Sequence, residues 1–129
     1  MNVYKALTPS QLATVVALQW RGFGGDDNYH FFTLAAQRHI AEQQATLWLA
    51  PQFGAGFVVG CVLDEKFLEP WRQRHFAYAN QPHFALPIAS IDQLNTQLLQ
   101  PIELLSAHSD RPRTQQLERN AAIQLAQAS

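Results

Sequence analysis

Disulfide bonding within the chain is excluded at once, because 129 residues hold a single cysteine, Cys61. Charge is scarce too. Only 15% of residues are Asp, Glu, Lys or Arg, and the net charge at pH 7 is −1. No field of one sign exists to recruit nucleic acid or an acidic membrane surface. No apolar run reaches the roughly 20 residues that a bilayer span takes. The N-terminus lacks the basic segment and apolar core of a secretory signal. There is no internal repeat and no interdomain linker. These absences predict one soluble, cytoplasmic domain over residues 1–129.

Apolar residues are plentiful: 47% of the chain, with eight Phe and three Trp. The most apolar stretch is Ala45 to Asp64. It reads as two strands, Thr46–Ala50 and Phe57–Leu63, joined by a tight reversal through Pro51, Gly54 and Gly56. Apolar side chains point both ways along it, which suggests cover on both faces. Gly60 marks a bulge or a close backbone approach.

Before the hairpin, Asn2–Ala6 reads as a short strand. Thr8, Pro9 and Gln11 then form a capping box at a helix start, with Leu7 and Leu12 placed as a staple. Leu12, Val15, Val16 and Trp20 form its apolar stripe. Gly22, Gly24 and Gly25 end that helix, and a second is expected over Tyr29–Gln44, with Tyr29, Phe32, Ala36 and Ile40 on one face. After the hairpin, Pro70 opens a helix over Trp71–Asn80. His83–Ile88 reads as an edge strand or loop. Ser90 and Gln93 suggest a second capping box on a helix reaching Gln100, with Leu94 and Leu98 inward. Ile102–Ala107 reads as a strand. Thr114–Gln127 is a Gln- and Ala-rich helix with a thin apolar stripe, so residues 114–129 are peripheral or lie at a subunit interface. The sum is an α+β class, a two-layer domain with a small antiparallel sheet around the hairpin and helices packed on it.

Chemistry-bearing patterns are weak. Cys61 lies among Val59, Val62 and Leu63, the setting of a packed thiol rather than a nucleophile. His30, His39, His75, His83 and His108 include no pair three or four apart and no Cys/His cluster, so no metal or cofactor is expected. Gly22–Gly25 lacks the Lys and Ser/Thr of a phosphate loop, and Asp26 and Asp27 would repel phosphate. It still reads as a flap over a pocket. Asp92, Glu103, Asp110 and Glu118 show no paired-carboxylate pattern. The densest polar-aromatic group is Trp71, Arg72, Arg74, His75 and Tyr78. Arg there can fork onto an anion, and the rings can stack a planar ligand. With Trp48 or Tyr29 as a wall and Asp26 as a further polar group, these are the candidate binding residues. Equally, the same helix reads as a half-exposed surface with Trp71 packed inward.

The order of features resembles a small bacterial domain-of-unknown-function family of about this size. The matching residues are Leu7–Gln11, Tyr29 to Phe32, Trp48-Leu49, Gly54 or Gly56, Asp64, Pro70-Trp71 and Ala77. Pro70 and Trp71 are adjacent here, a departure from that family's Pro-x-Trp-Pro spacing. The resemblance implies a fold sketch and no activity. The chain is also loosely similar to N-acetyltransferases, but Leu68–Ala77 has no glycine for an acyl-carrier loop, which rejects that reading.

Two functional classes stay open. One is a non-catalytic binding module acting as a homodimer, on its own or with a protein partner, since there is more apolar surface than a small domain comfortably hides. The other is a small enzyme or small-molecule-binding protein with an aromatic pocket gated by residues 22–27.

Overall fold

The computed structural model describes residues 1–25, 31–73 and 83–109. Six strands form one antiparallel sheet: β1 (Asn2–Leu7), β2 (Phe31–Ala35), β3 (Ala55–Val62), β4 (Arg72–Gln73), β5 (His83–Pro87) and β6 (Glu103–Ser109), in the order β4-β5-β2-β1-β3-β6. Helices α1 (Pro9–Ala17), α2 (Arg38–Gln44), α3 (Ala50–Phe53), α4 (Glu65–Leu68) and α5 (Ile91–Thr96) pack on it. The architecture is α+β, with an antiparallel sheet and packed helices.

The first strand and helix form as their residues dictate. Thr8 Oγ1 accepts from the Gln11 amide at 3.2 Å, and Gln11 Oε1 accepts from the Thr8 amide at 3.0 Å. Pro9 sits where its missing N–H costs nothing. The helix stops at Ala17, earlier than the glycines suggest. Gln19 and Trp20 take positive φ of 59° and 62°, and the Trp20 amide closes the turn onto Val15 O at 3.0 Å. Val16 turns out to solvent.

Alternation on the strands divides the core. Val3, Leu7, Phe32, Leu34, Val59, Cys61, Phe84 and Leu86 face one side. There they meet Val15 of α1, Leu68 of α4, Ile91 and Leu94 of α5, Phe23 and Ile102. Ala6, Ala35 and Val58 face the other side and meet Ile40, Ala41 and Ala45. Helices therefore cover both faces. The second layer is thin because its residues are small. A Cβ on Gly56 would lie 2.5 Å from Ala45 O, so glycine lets this helical backbone rest against β3.

Several segments differ from the sequence reading. Residues 46–50 are not a strand, so the hairpin is absent. Ala45–Leu49 is a π-helical turn leading into α3. Pro51 cannot donate to Leu47 O and its ring crowds that carbonyl, which favours a wider turn. Gly54, at φ 83°, caps α3 and turns the chain into β3. Phe31–Ala35 is a strand, and among the described residues of the expected second helix only Arg38–Gln44 is helical. His83–Pro87 is an interior strand with Phe84 and Leu86 fully buried; the short β4 holds the edge. Trp71 ends a 3₁₀ turn and Arg72–Gln73 is extended, so the helix expected over Trp71–Asn80 does not begin at Trp71, and its remaining residues 74–80 lie outside the described residues. Ser90 makes no side-chain cap, and α5 ends at Thr96. The bulge lies on β6, where Leu105 is the extra residue between the pairs Val58–Ser106 and Val59–Leu104. Its side chain rests over Gly60. The helix expected at Thr114–Gln127 lies outside the described residues.

Candidate functional site

β1 pairs with β3 along its whole length, Asn2 opposite Val62 through Leu7 opposite Phe57. Its other edge pairs with β2 only where Tyr4 lies opposite Ala35. Beyond that point the two strands diverge, and β2 stays with β5 instead, Phe31 opposite Pro87 through Ala35 opposite His83. The fork opens a groove of about 760 Å³. Its length is lined by Lys5–Thr8 of β1 and its continuation and by Phe31–Thr33 of β2. Gln11, Thr14 and Val15 close it on one face of the sheet, with Phe23–Gly25, while Gln44, Trp48 and Leu49 close it on the other.

Four of the lining residues are aromatic, Phe23, Phe31, Phe32 and Trp48, within a lining whose exposed surface is otherwise largely polar. Phe23 and Phe32 pack at 5.0 Å between centroids, tilted by 56°. Phe31 and Trp48 are 60% and 51% exposed, so both present large apolar surface at the groove. Trp48 is carried by the π-helical turn, a distortion frequent at functional sites.

Lys5 is the charged group of this lining. It points to the same side of β1 as Val3 and Leu7 and is half-buried. Nζ donates to Thr33 O at 2.9 Å, across the fork, and lies 4.3 Å from the centre of the Phe32 ring. Among the described residues no carboxylate pairs with it. Desolvation by burial pulls its pKa down to about 8. Burial pushes the Cys61 thiol up to about 12, so Cys61 is neutral near pH 7 and supplies no counter-charge. A half-desolvated ammonium beside aromatic walls suits an oxygen-bearing ligand atom.

The glycine-bearing loop is tied down at its described end. Asn95 of α5 accepts from the Phe23 amide at 2.8 Å and donates to Phe23 O at 2.9 Å. It acts on Phe23 as a neighbouring strand would. From Phe31 to Ala35 the described chain is a strand, not the helix expected there.

The candidate residues read from sequence separate. Trp48 lines the groove. Trp71 packs on the larger core cluster and Arg72 lies at the β4 edge; neither lines the groove. The Arg72 guanidinium is engaged, bonding Glu69 Oε2 through Nε (3.2 Å) and an Nη (3.1 Å), with Glu65 at 3.9 Å and the Phe84 ring at 5.2 Å. Asp26, Tyr29, Arg74, His75 and Tyr78 lie outside the described residues. Lys5 went unmarked in sequence. The available signal was a cation alternating with Val3 and Leu7 on the inward side of a strand.

A second polar cluster joins α2 to β6. Ser106 Oγ donates to Glu42, 2.8 Å from each carboxylate oxygen, and Arg38 Nε donates to Oε1 at 3.1 Å. His108 Nε2 lies 2.5 Å from Glu42 Oε2 and 3.2 Å from Ser106 Oγ. Partial burial alone would raise the Glu42 pKa, but the bonds from Ser106, His108 and Arg38 outweigh it and hold it below the ordinary value. A nucleophilic serine needs His between hydroxyl and acid, one ring nitrogen to each. Here a single nitrogen faces both, and the serine donates straight to the acid, so the cluster fastens rather than catalyses.

Among the described residues no three His, Cys, Asp or Glu side chains gather to hold a metal ion. No described helix is long and apolar enough to cross a membrane. No family model, curated protein or solved structure matches the chain.

Proposed function

We propose that the protein binds a small molecule in the fork between β1 and β2, a ligand with a flat apolar body and a polar, oxygen-bearing head. The observation that carries this reading is the divergence of β1 from β2 beyond Tyr4–Ala35, with Lys5 at the resulting groove. The volume falls in the range of small-molecule sites, roughly 300–1,000 Å³. Phe31 and Trp48 would flank the body, and Lys5 would meet the head. The test is thermal stabilisation by a panel of aromatic acids, alcohols and aldehydes, for the parent and for Phe31→Ala and Trp48→Ala. A ligand at about 100 times its Kd stabilises by about 2.7 kcal/mol. Stabilisation is expected in the parent and lost in both variants. Equal stabilisation of all three proteins would move binding elsewhere.

A homodimer is a second reading, favoured by the β6 edge. Among the described residues β6 has no strand beyond it, and Leu104 on it is 43% exposed. An open edge of this length templates pairing with another chain. Light scattering after size exclusion tests it: a monomer at micromolar concentration would remove the dimer and leave the groove reading intact.

A further inference from the structure

The chain has two lysines, Lys5 and Lys66, in very different settings. Lys66 sits in the exposed first turn after Asp64. Lys5 is held against the Phe32 ring, with a backbone carbonyl as its hydrogen-bond acceptor and no carboxylate among the described residues. We propose that the groove takes small aldehydes or ketones with a flat apolar body and holds them covalently, as an imine on Lys5. This rests on the groove reading and names its ligand class.

The chemistry needs a free amine near a carbonyl in a site that accepts the rest of the molecule. A lysine becomes a nucleophile when partial desolvation or a neighbouring cation lowers its pKa. With a pKa of about 8, about one tenth of Lys5 is the free amine at pH 7. An ordinary lysine offers only a few parts in ten thousand. The Nζ lone pair attacks the carbonyl carbon, forming a C–N bond and a carbinolamine. The carbon–oxygen bond then breaks and the oxygen leaves as water, carrying two protons: one from the carbinolamine nitrogen, the other the proton Nζ gave up on attack. The product is the neutral imine, and no oxidant or reductant takes part. Water reaches the open groove, so hydrolysis returns the amine and capture is reversible. The Phe32 ring, favourable to the ammonium, remains a stacking face for the body once the charge is gone.

The experiment exposes the full-length protein to benzaldehyde at pH 7 with sodium cyanoborohydride, which reduces the imine to a stable secondary amine. Peptide mapping by mass spectrometry then reads labelling at Lys5 and Lys66. Label at Lys5 is expected to exceed that at Lys66 by roughly tenfold or more, allowing for the lower nucleophilicity of a less basic amine. In urea the two lysines should label equally. Lys5→Arg keeps the positive charge and should lose the selective label while remaining folded. Equal labelling of the two lysines in the folded protein would overturn the proposal. Benzyl alcohol separates the two readings, because it has the body without the carbonyl. Its binding at Phe31 and Trp48, with no selective Lys5 label, would refute the imine and keep the groove. Neither binding nor selective label would refute both.

Discussion

Replacing Asn95 by Ala tests how the groove wall near Phe23 is held. The Asn95 carboxamide satisfies both backbone groups of Phe23, at 2.8 and 2.9 Å, across 72 residues of sequence. Its removal forfeits two bonds and leaves a part-buried N–H and C=O short of partners. At about 1–1.5 kcal/mol for each, the loss is about 2–3 kcal/mol. Alanine is the better helix former by roughly 0.5 kcal/mol, which offsets part of this. The net expectation is about 2 kcal/mol, or a fall in Tm of roughly 7 °C for a chain of this length. Urea denaturation followed by circular dichroism gives the value. Thr96→Ala, on the same helix with its hydroxyl exposed, is the control and should shift stability by less than about 0.5 kcal/mol. An Asn95→Ala protein as stable as the parent would show that the carboxamide does not anchor Phe23.

Other perturbations probe separate parts of the fold. Gly56→Ala would drive a methyl group to 2.5 Å from Ala45 O, and since that neighbour is backbone, destabilisation of about 2–3 kcal/mol is expected in the same urea assay. Gln19→Gly relieves one of two consecutive positive-φ residues and should stabilise by about 0.5–1 kcal/mol, read as a raised urea midpoint at unchanged slope. Glu42 has a folded pKa below its unfolded value, so its contribution is present above about pH 4.5 and is lost as pH falls through the folded value. Glu42→Gln should therefore be less stable than the parent at pH 6–7, and the gap should close progressively as the pH is lowered below about 4.5.

How far the sequence could be read depended on whether local and tertiary demands agreed. At β1, α1, β3 and β6 they agreed: the Thr8–Gln11 box, the β-branched run around Val58 and Val59, and the strand after Pro101 all formed. They disagreed at Phe31–Ala35, where residues spaced for a helix face also alternate for a strand, and pairing with β5 decided the outcome. They disagreed again at Thr46–Ala50. That segment is apolar enough for a buried strand, yet Leu47 and Trp48 face out, and Pro51 sets a wide helical turn. Trp48 was legible as a pocket residue by type. Lys5 was not, because its meaning comes from the fork. The groove joins residues 5–8, 10–11, 14–15, 23–25, 31–33, 44, 48–49 and 88, and its existence depends on a strand pairing that stops early. No local pattern records where two strands part.

Whether this fork is a ligand site is read by amide and indole NMR with a fragment set of aromatic aldehydes, alcohols and acids. Binding fragments are expected to shift Lys5, Thr8, Gln11, Phe31 and the Trp48 indole together, while Lys66 and the β4 edge stay still. Fragments that bind at Trp71 and Arg72, with the fork signals unmoved, would contradict the ligand-site reading.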